Sequence, residues 1–110
     1  MDGTLVDNMR FHDEALQKML LENGIEIDIR PLLANIAGKT NREVIPSFFP
    51  DASEEKVQEL GLRKESLYRE LFLPRRKPIE GVIEFLEESQ KLGIKMAVAT
   101  AAPVANMEFI

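Results

Sequence analysis

One strand-like segment stands among helical patterns in this 110-residue sequence, and it limits what the chain can fold into. Residues 96–99, Met-Ala-Val-Ala, form a continuous apolar run that is typical of a strand buried on both faces in a parallel sheet. A lone buried strand leaves backbone donors and acceptors unpaired, at a cost of about 1–3 kcal/mol for each group. The sequence therefore predicts a chain that folds its helical part but cannot complete a sheet, and we expect it to be a fragment.

Four helices are predicted before a basic linker. Residues 9–23 carry apolar side chains at helical spacing, and residues 31–36 open with a proline, which suits the first turn of a helix. Thr40 and Glu43 have the spacing of a capping box, and Ser53 precedes two glutamates that favour the start of a further helix. Four helices joined by short loops describe a small bundle. The fourth predicted helix carries the apolar residues Val57, Leu60, Leu62, Leu67 and Leu71.

A second helical group follows the linker, residues 74–78, in which three basic residues lie between prolines. Residues 79–92 are predicted to form a helix, which Gly93 ends. The apolar run comes next, and a short helix is predicted to begin near Pro103. The predicted apolar face of the first of these helices consists of Ile79, Val82, Ile83 and Leu86.

Composition and charge argue against several classes of function. Apolar residues make up 45% of the sequence and charged residues 30%, which is the balance of a globular protein. The net charge of −5 argues against a nucleic-acid-binding protein, because phosphate backbones require a basic surface. The apolar runs are too short for a membrane span, and the acidic start does not resemble a signal peptide. The absence of cysteine excludes disulfides and thiolate metal sites, and it fits a cytoplasmic location.

Two short segments are candidates for phosphate chemistry. Residues 2–5, Asp-Gly-Thr-Leu, form an acidic turn in which Gly3 lets the backbone turn tightly and present N–H groups to a phosphate. Thr100 and Ala101 follow the apolar run, at the kind of strand end where open α/β sheets bind their ligands. The simpler alternatives are that Asp2 and Gly3 form only a turn and that Thr100 only caps the following helix.

Together these segments resemble the haloacid dehalogenase (HAD) superfamily, phosphotransferases that use an aspartate nucleophile. Its first motif reads Asp-x-Asp-Gly-Thr after an apolar strand, and its second is an apolar strand ending in Ser or Thr, as in residues 93–100. Within the superfamily the sequence is most similar to the β-phosphoglucomutase-like group, through residues 7–12 and the loop 38–43. Met1 stands at the x position. The resemblance therefore implies that the nucleophile precedes the chain, and that the later lysine and acidic magnesium loop follow it.

The fold that this resemblance implies is α/β. It consists of an incomplete HAD-like, Rossmann-like core, residues 1–8 and 75–110, with an inserted four-helix cap, residues 9–74. The chain as given is expected to be mostly helical.

The resemblance also implies roles for single residues. Asp2 would be the general acid/base, and its backbone carbonyl would be a ligand of Mg²⁺. Gly3, Thr100 and Ala101 would bind the phosphate. His12, the single histidine, would position the acid/base or the substrate, although a lone histidine is more often structural.

The loop after the second predicted helix would be the substrate-specificity segment of the cap. By resemblance, Gly38 permits a close turn, and donors to a sugar or distal phosphate come from Lys39, Asn41 and Arg42. A nucleotide-binding P-loop is the wrong interpretation, because Leu33 occupies the position of its first glycine and the preceding pattern is helical. The mutases carry a lysine just before the glycine and an arginine three residues after it, where this sequence has Ala37 and Asn41. This difference favours a phosphatase.

The expected function is that of a magnesium-dependent phosphohydrolase. It would act on a small phosphorylated metabolite, a sugar phosphate, through an aspartyl-phosphate intermediate. The alternatives are a β-phosphoglucomutase-like isomerase and a non-catalytic cap module that binds or dimerises. We expect no nucleic-acid or membrane partner and a monomeric full-length protein. The fragment alone is expected to be inactive and to self-associate through an exposed strand edge.

Overall fold

The structure is a computed structural model that describes all 110 residues. It divides into two compact units. The first, which we call the terminal unit, consists of Met1–Met9 and Phe72–Ile110. The second, the helical unit, consists of Arg10–Leu71. The division into a core and an inserted cap at residues 9 and 74 stays a prediction.

Four α-helices and two 3₁₀ turns form the helical unit and its ends, and they agree with the four predicted helices. Local capping explains two of the starts. The Glu43 carboxylate accepts hydrogen bonds from the backbone N–H and the hydroxyl of Thr40 at 2.8 and 2.7 Å, and the Ser53 hydroxyl accepts one from the Lys56 N–H at 3.2 Å. The elements are α1 (Met9–Glu22), a turn (Arg30–Leu32), α2 (Leu33–Ile36), α3 (Asn41–Val44), a second turn (Ile45–Ser47) and α4 (Glu54–Phe72).

The core of the helical unit is formed mainly by one face of α1 and one face of α4. Leu62 does not belong to this face, because it is 66% exposed. Leu62 follows the buried Leu60 by two residues, which places it on the opposite side of the helix. The buried apolar side chains of α1 and α4 within this unit are Phe11, Ala15, Leu16, Met19 and Leu20, and Val57, Leu60, Leu67 and Tyr68.

The terminal unit contains a 3₁₀ turn (Leu73–Arg75), α5 (Val82–Lys91) and α6 (Val104–Phe109). The short helix predicted near Pro103 is present as α6. The helix predicted from Ile79 begins three residues later, as α5. The Ile79 N–H instead donates to the carbonyl of Leu5 at 2.9 Å, and Gly81 at the N-cap has a φ of 84°, which is left-handed rather than helical.

The strand predicted at residues 96–99 is absent. This segment has no regular structure, and Ile94, Met96 and Val98 are 54%, 45% and 64% exposed. The only β-type pairings in the chain are isolated bridges of Val6 with Asp2 and with Pro78. Because a strand is stabilised by hydrogen bonds to a neighbour, an apolar run with no neighbouring strand cannot adopt one.

Of the apolar face predicted for this helix, Ile79, Val82 and Leu86 are half-buried. Ile83 is exposed, and so is Phe85 on the same helix. No helix of the structure is both long and apolar enough to cross a membrane.

Candidate functional site

Backbone hydrogen bonds close the acidic turn that contains Asp2. The N–H groups of Thr4 and Leu5 both donate to the carbonyl of Met1, at 3.1 and 2.8 Å. Gly3 has a φ of 64°, and a Cβ at this position would lie 3.4 Å from Cγ of Met9. Both its left-handed backbone and its close contact therefore favour glycine. Asp2 itself is half-buried.

A fully buried asparagine contacts both Asp2 and the turn. Nδ2 of Asn8 donates to Oδ1 of Asp2 at 2.6 Å, and Oδ1 of Asn8 accepts from the N–H of Gly3 at 3.2 Å. No motif of the sequence singles out this residue for a role at the turn. Asn8 contributed only to the family resemblance, and nothing in its local pattern showed that its amide would turn back onto Asp2.

Thr100 and Ala101, the other predicted phosphate-binding residues of the terminal unit, lie before α6. The Thr100 hydroxyl accepts a hydrogen bond from the N–H of Ala102 at 3.1 Å, and Ala101 is exposed. The alternative that Thr100 caps the following helix is wrong, because Pro103 occupies the N-cap of α6. Asn106 in α6 is almost completely buried.

His12 lies in the helical unit, where its ring stacks on Tyr68 with the centroids 3.8 Å apart and the planes 8° from parallel. Nζ of Lys64 lies 3.3 Å from Nδ1 of His12. Because an ammonium group can only donate, Nδ1 is the acceptor in this contact.

A buried glutamate of α4 contacts α3 and its own neighbour in the same unit. Oε1 of Glu65 accepts from Nδ2 of Asn41 at 2.7 Å and from Nζ of Lys64 at 2.9 Å. We call Glu65, Asn41, Lys64 and His12 the Glu65 cluster. Burial raises the pKa of the neighbouring Asp13 carboxyl, and the positive charge of Lys64 opposes that shift. Sequence analysis assigned roles to Asn41 and His12 but missed Glu65 and Lys64.

The other predicted residues of the specificity loop are exposed to solvent. Gly38 has a φ of 75°, and both Gly38 and Lys39 are exposed. Arg42 forms an ion pair with Glu54 on the surface. The hydrogen bond from the Thr40 N–H lowers the pKa of Glu43.

The predicted site residues thus fall into two sets. Asp2, Gly3, Thr100 and Ala101 belong to the terminal unit. Those of the helical unit are His12, Gly38, Lys39, Asn41 and Arg42.

Comparison with known proteins identifies the family. The sequence model of the haloacid dehalogenase-like hydrolases matches residues 1–108. The chain belongs to the HAD-like hydrolase family. A crystal structure of a HAD hydrolase, family IA, variant 3, from Entamoeba histolytica is similar in fold, with a TM-score of 0.84 and 24% sequence identity. The match covers 99% of this chain and 50% of that chain.

These comparisons confirm the predicted architecture. This HAD-like chain is mostly helical and carries part of an α/β core. It spans half the length of the crystal structure that it matches.

The residues of this HAD-like chain do not form a metal site by themselves. No group of three or more acidic or histidine side chains lies together in a way that could hold a metal ion. Mg²⁺ is usually bound through one or two carboxylates and completes its shell with water and phosphate oxygens. Asp2 has oxygen atoms of the right kind, but one residue is too few to fix the ion.

Proposed function

We propose that this chain carries the acid/base turn and the cap of a magnesium-dependent phosphohydrolase. The substrate is a small phosphorylated metabolite, and a sugar phosphate fits the donors of the cap loop. The observation that carries the proposal is the half-buried Asp2, at a glycine turn whose residues match the first motif of the family. The buried amide of Asn8 gives its carboxylate a defined partner.

The proposed chemistry divides hydrolysis into two steps. An attacking carboxylate forms a bond to phosphorus while the bond to the ester oxygen breaks, and Asp2 gives that oxygen a proton. Water then attacks the aspartyl phosphate, Asp2 takes up a proton from the water, and inorganic phosphate leaves. The family motif places the attacking carboxylate two residues before the aspartate that corresponds to Asp2.

The cap supports a phosphatase rather than a mutase. Asn41 stands where the mutases carry an arginine, and its amide donates to Glu65 within the helical unit. Lys39 is exposed and offers an ammonium group on the loop. We propose a monomeric cytoplasmic enzyme with no nucleic-acid or membrane partner, and the net charge of −5 supports the first of these exclusions.

The test is release of inorganic phosphate by the complete gene product from a panel of small phosphorylated metabolites, with Mg²⁺ or with EDTA. We expect turnover with Mg²⁺ that Asp2→Asn reduces at least about a hundredfold, the lower range of general acid–base catalysis. Asp7→Asn is the matched control, since Asp7 is an exposed aspartate of the same segment. Full turnover in Asp2→Asn, or none in the wild type, would contradict the proposal.

With β-glucose 1-phosphate, we expect free phosphate, whereas glucose 6-phosphate would identify a mutase.

A further inference from the structure

We infer that Asn8 is the positioning residue for the carboxylate of Asp2. The catalytic meaning of this inference rests on the proposed function, but the contact itself does not. The Asn8 side chain is fully buried and bridges the two residues of the turn that matter for phosphate chemistry, Asp2 and Gly3.

The orientation of the Asn8 amide follows from its two partners. The N–H of Gly3 donates to the carbonyl of Val6 at 2.9 Å and also to the Asn8 side chain at 3.2 Å. Because an N–H can only donate, it must meet the amide oxygen of Asn8. The carboxylate of Asp2 can only accept, so it must meet the amide nitrogen, at 2.6 Å. In this orientation the amide oxygen faces a donor and the amide nitrogen faces an acceptor. The flipped orientation would place donor against donor and acceptor against acceptor. A rigid group of this kind fixes Oδ1 of Asp2 relative to the backbone of the turn.

A second role of Asn8 has to be separated from this one. Asn8 directly precedes α1, at the position where asparagine caps a helix. Aspartate and serine cap helices about as well as asparagine does. Asn8→Asp therefore preserves the cap and the shape of the side chain but replaces the amide donor with an oxygen that repels Asp2. Asn8→Ser preserves the cap and supplies a shorter hydroxyl donor.

The direct test measures the three-bond Hα–Hβ couplings of Asp2 by NMR in the 110-residue chain. We expect one side-chain rotamer in the wild type, averaged couplings in Asn8→Asp, and a partial return to a single rotamer in Asn8→Ser. The matched control is Asn23→Asp, at the other end of α1, where the Asn23 amide donates to the carbonyl of Met19. The control should leave the Asp2 couplings unchanged. Unchanged couplings in Asn8→Asp would overturn the inference.

The reciprocal exchange keeps the test informative where Asn8→Asp folds poorly. Asp2→Asn/Asn8→Asp restores one donor and one acceptor between the two positions. We expect its melting temperature to lie above that of Asn8→Asp alone, because the repulsion is removed. A melting temperature no higher than that of Asn8→Asp would show that the two residues are not coupled, and it would contradict the inference.

The activity measurement separates this inference from the proposed function. In the complete gene product, Asn8→Asp should lower kcat by about tenfold to a hundredfold, as misplacement of a catalytic group does, with KM nearly unchanged. An active wild type with an equally active Asn8→Asp would refute the positioning role and leave the proposed function standing. An inactive wild type whose Asp2 couplings respond to Asn8→Asp would refute the proposed function and leave the contact standing.

Discussion

The helical unit buries most of its large apolar side chains, whereas the terminal unit leaves many of its own in contact with solvent. Tyr68, Leu67 and Met19 in the helical unit are fully buried, while Phe85 and Val98 in the terminal unit are mostly exposed. A helix satisfies its backbone hydrogen bonds within one segment, so a bundle needs only side-chain packing to be complete. A buried strand needs a neighbour before its apolar faces can be covered. This difference explains why one polypeptide can contain one unit whose large apolar side chains are mostly buried and another in which many are exposed.

The largest expected effect comes from truncating a buried ring in the helical unit. Tyr68→Ala removes a fully buried side chain that stacks on His12 and should lower the free energy of unfolding by about 3–5 kcal/mol. Phe85→Ala, the matched change at a 68% exposed ring, should change it by less than about 0.5 kcal/mol. Urea unfolding measures both. Equal losses of unfolding free energy in the two variants would contradict the difference in burial between the units.

The next effect concerns the polar interior of the helical unit. Glu65→Ala leaves the amide of Asn41 and the ammonium group of Lys64 without their shared acceptor, which should cost about 1–3 kcal/mol. Glu87→Ala, at an exposed glutamate of α5, is the control and should be nearly neutral. Urea unfolding again measures the change. A neutral Glu65→Ala would mean that the Glu65 cluster does not stabilise this unit.

A smaller effect is expected where the apolar run is exposed. Val98→Lys should change the free energy of unfolding by less than about 0.5 kcal/mol, because Val98 is mostly exposed. The added charge should also reduce self-association through the uncovered segment. Sedimentation velocity at several concentrations measures this, with Leu62→Lys on the exposed side of α4 as control. A strong loss of stability in Val98→Lys would show that the segment is packed.

The smallest expected effect is a loss of stability at low pH. Hydrogen bonds from Arg30 lower the pKa of Asp28 from 3.8 to about 2. Because the folded-state pKa is depressed, the contribution to stability is present above pH 3.8 and is lost as the pH falls through about 2. Asp28→Asn should remove this part of the pH dependence, so its melting temperature should fall less than that of the wild type between pH 4 and pH 2. Parallel melting curves would contradict the prediction. The pair is exposed, so the difference should be small.

The sequence best predicts the features that depend on residues close to one another in the chain. The start of α3 at Thr40 and that of α4 at Ser53 follow from caps within three residues, and the apolar period of α1 lies within one segment. The local pattern of Ile79 predicts a helix, whereas its N–H is bonded to Leu5, far away in the chain. The same limit explains the absent strand at residues 96–99, whose conformation depends on a neighbour rather than on its own residues.

The candidate site follows the same rule. Short motifs point to Asp2 and Thr100, and the same motifs resemble the family to which the chain belongs. The contact of Lys64 with His12 joins residues 52 positions apart, and that of Asn41 with Glu65 joins residues 24 apart. Partners at such separations leave no local pattern from which to predict them. Asn8 is closer to Asp2, but its contact requires the left-handed turn at Gly3.

The hydrogen bond between Leu5 and Ile79 implies an order of events during synthesis. The helical unit is encoded as one uninterrupted stretch, so it can fold on the ribosome as soon as that stretch emerges. The terminal unit must wait, because its first nine residues leave the exit tunnel long before the residues that bind them. Nascent chains arrested at increasing lengths should therefore gain resistance to protease first in the interior of the sequence and only later at its amino terminus.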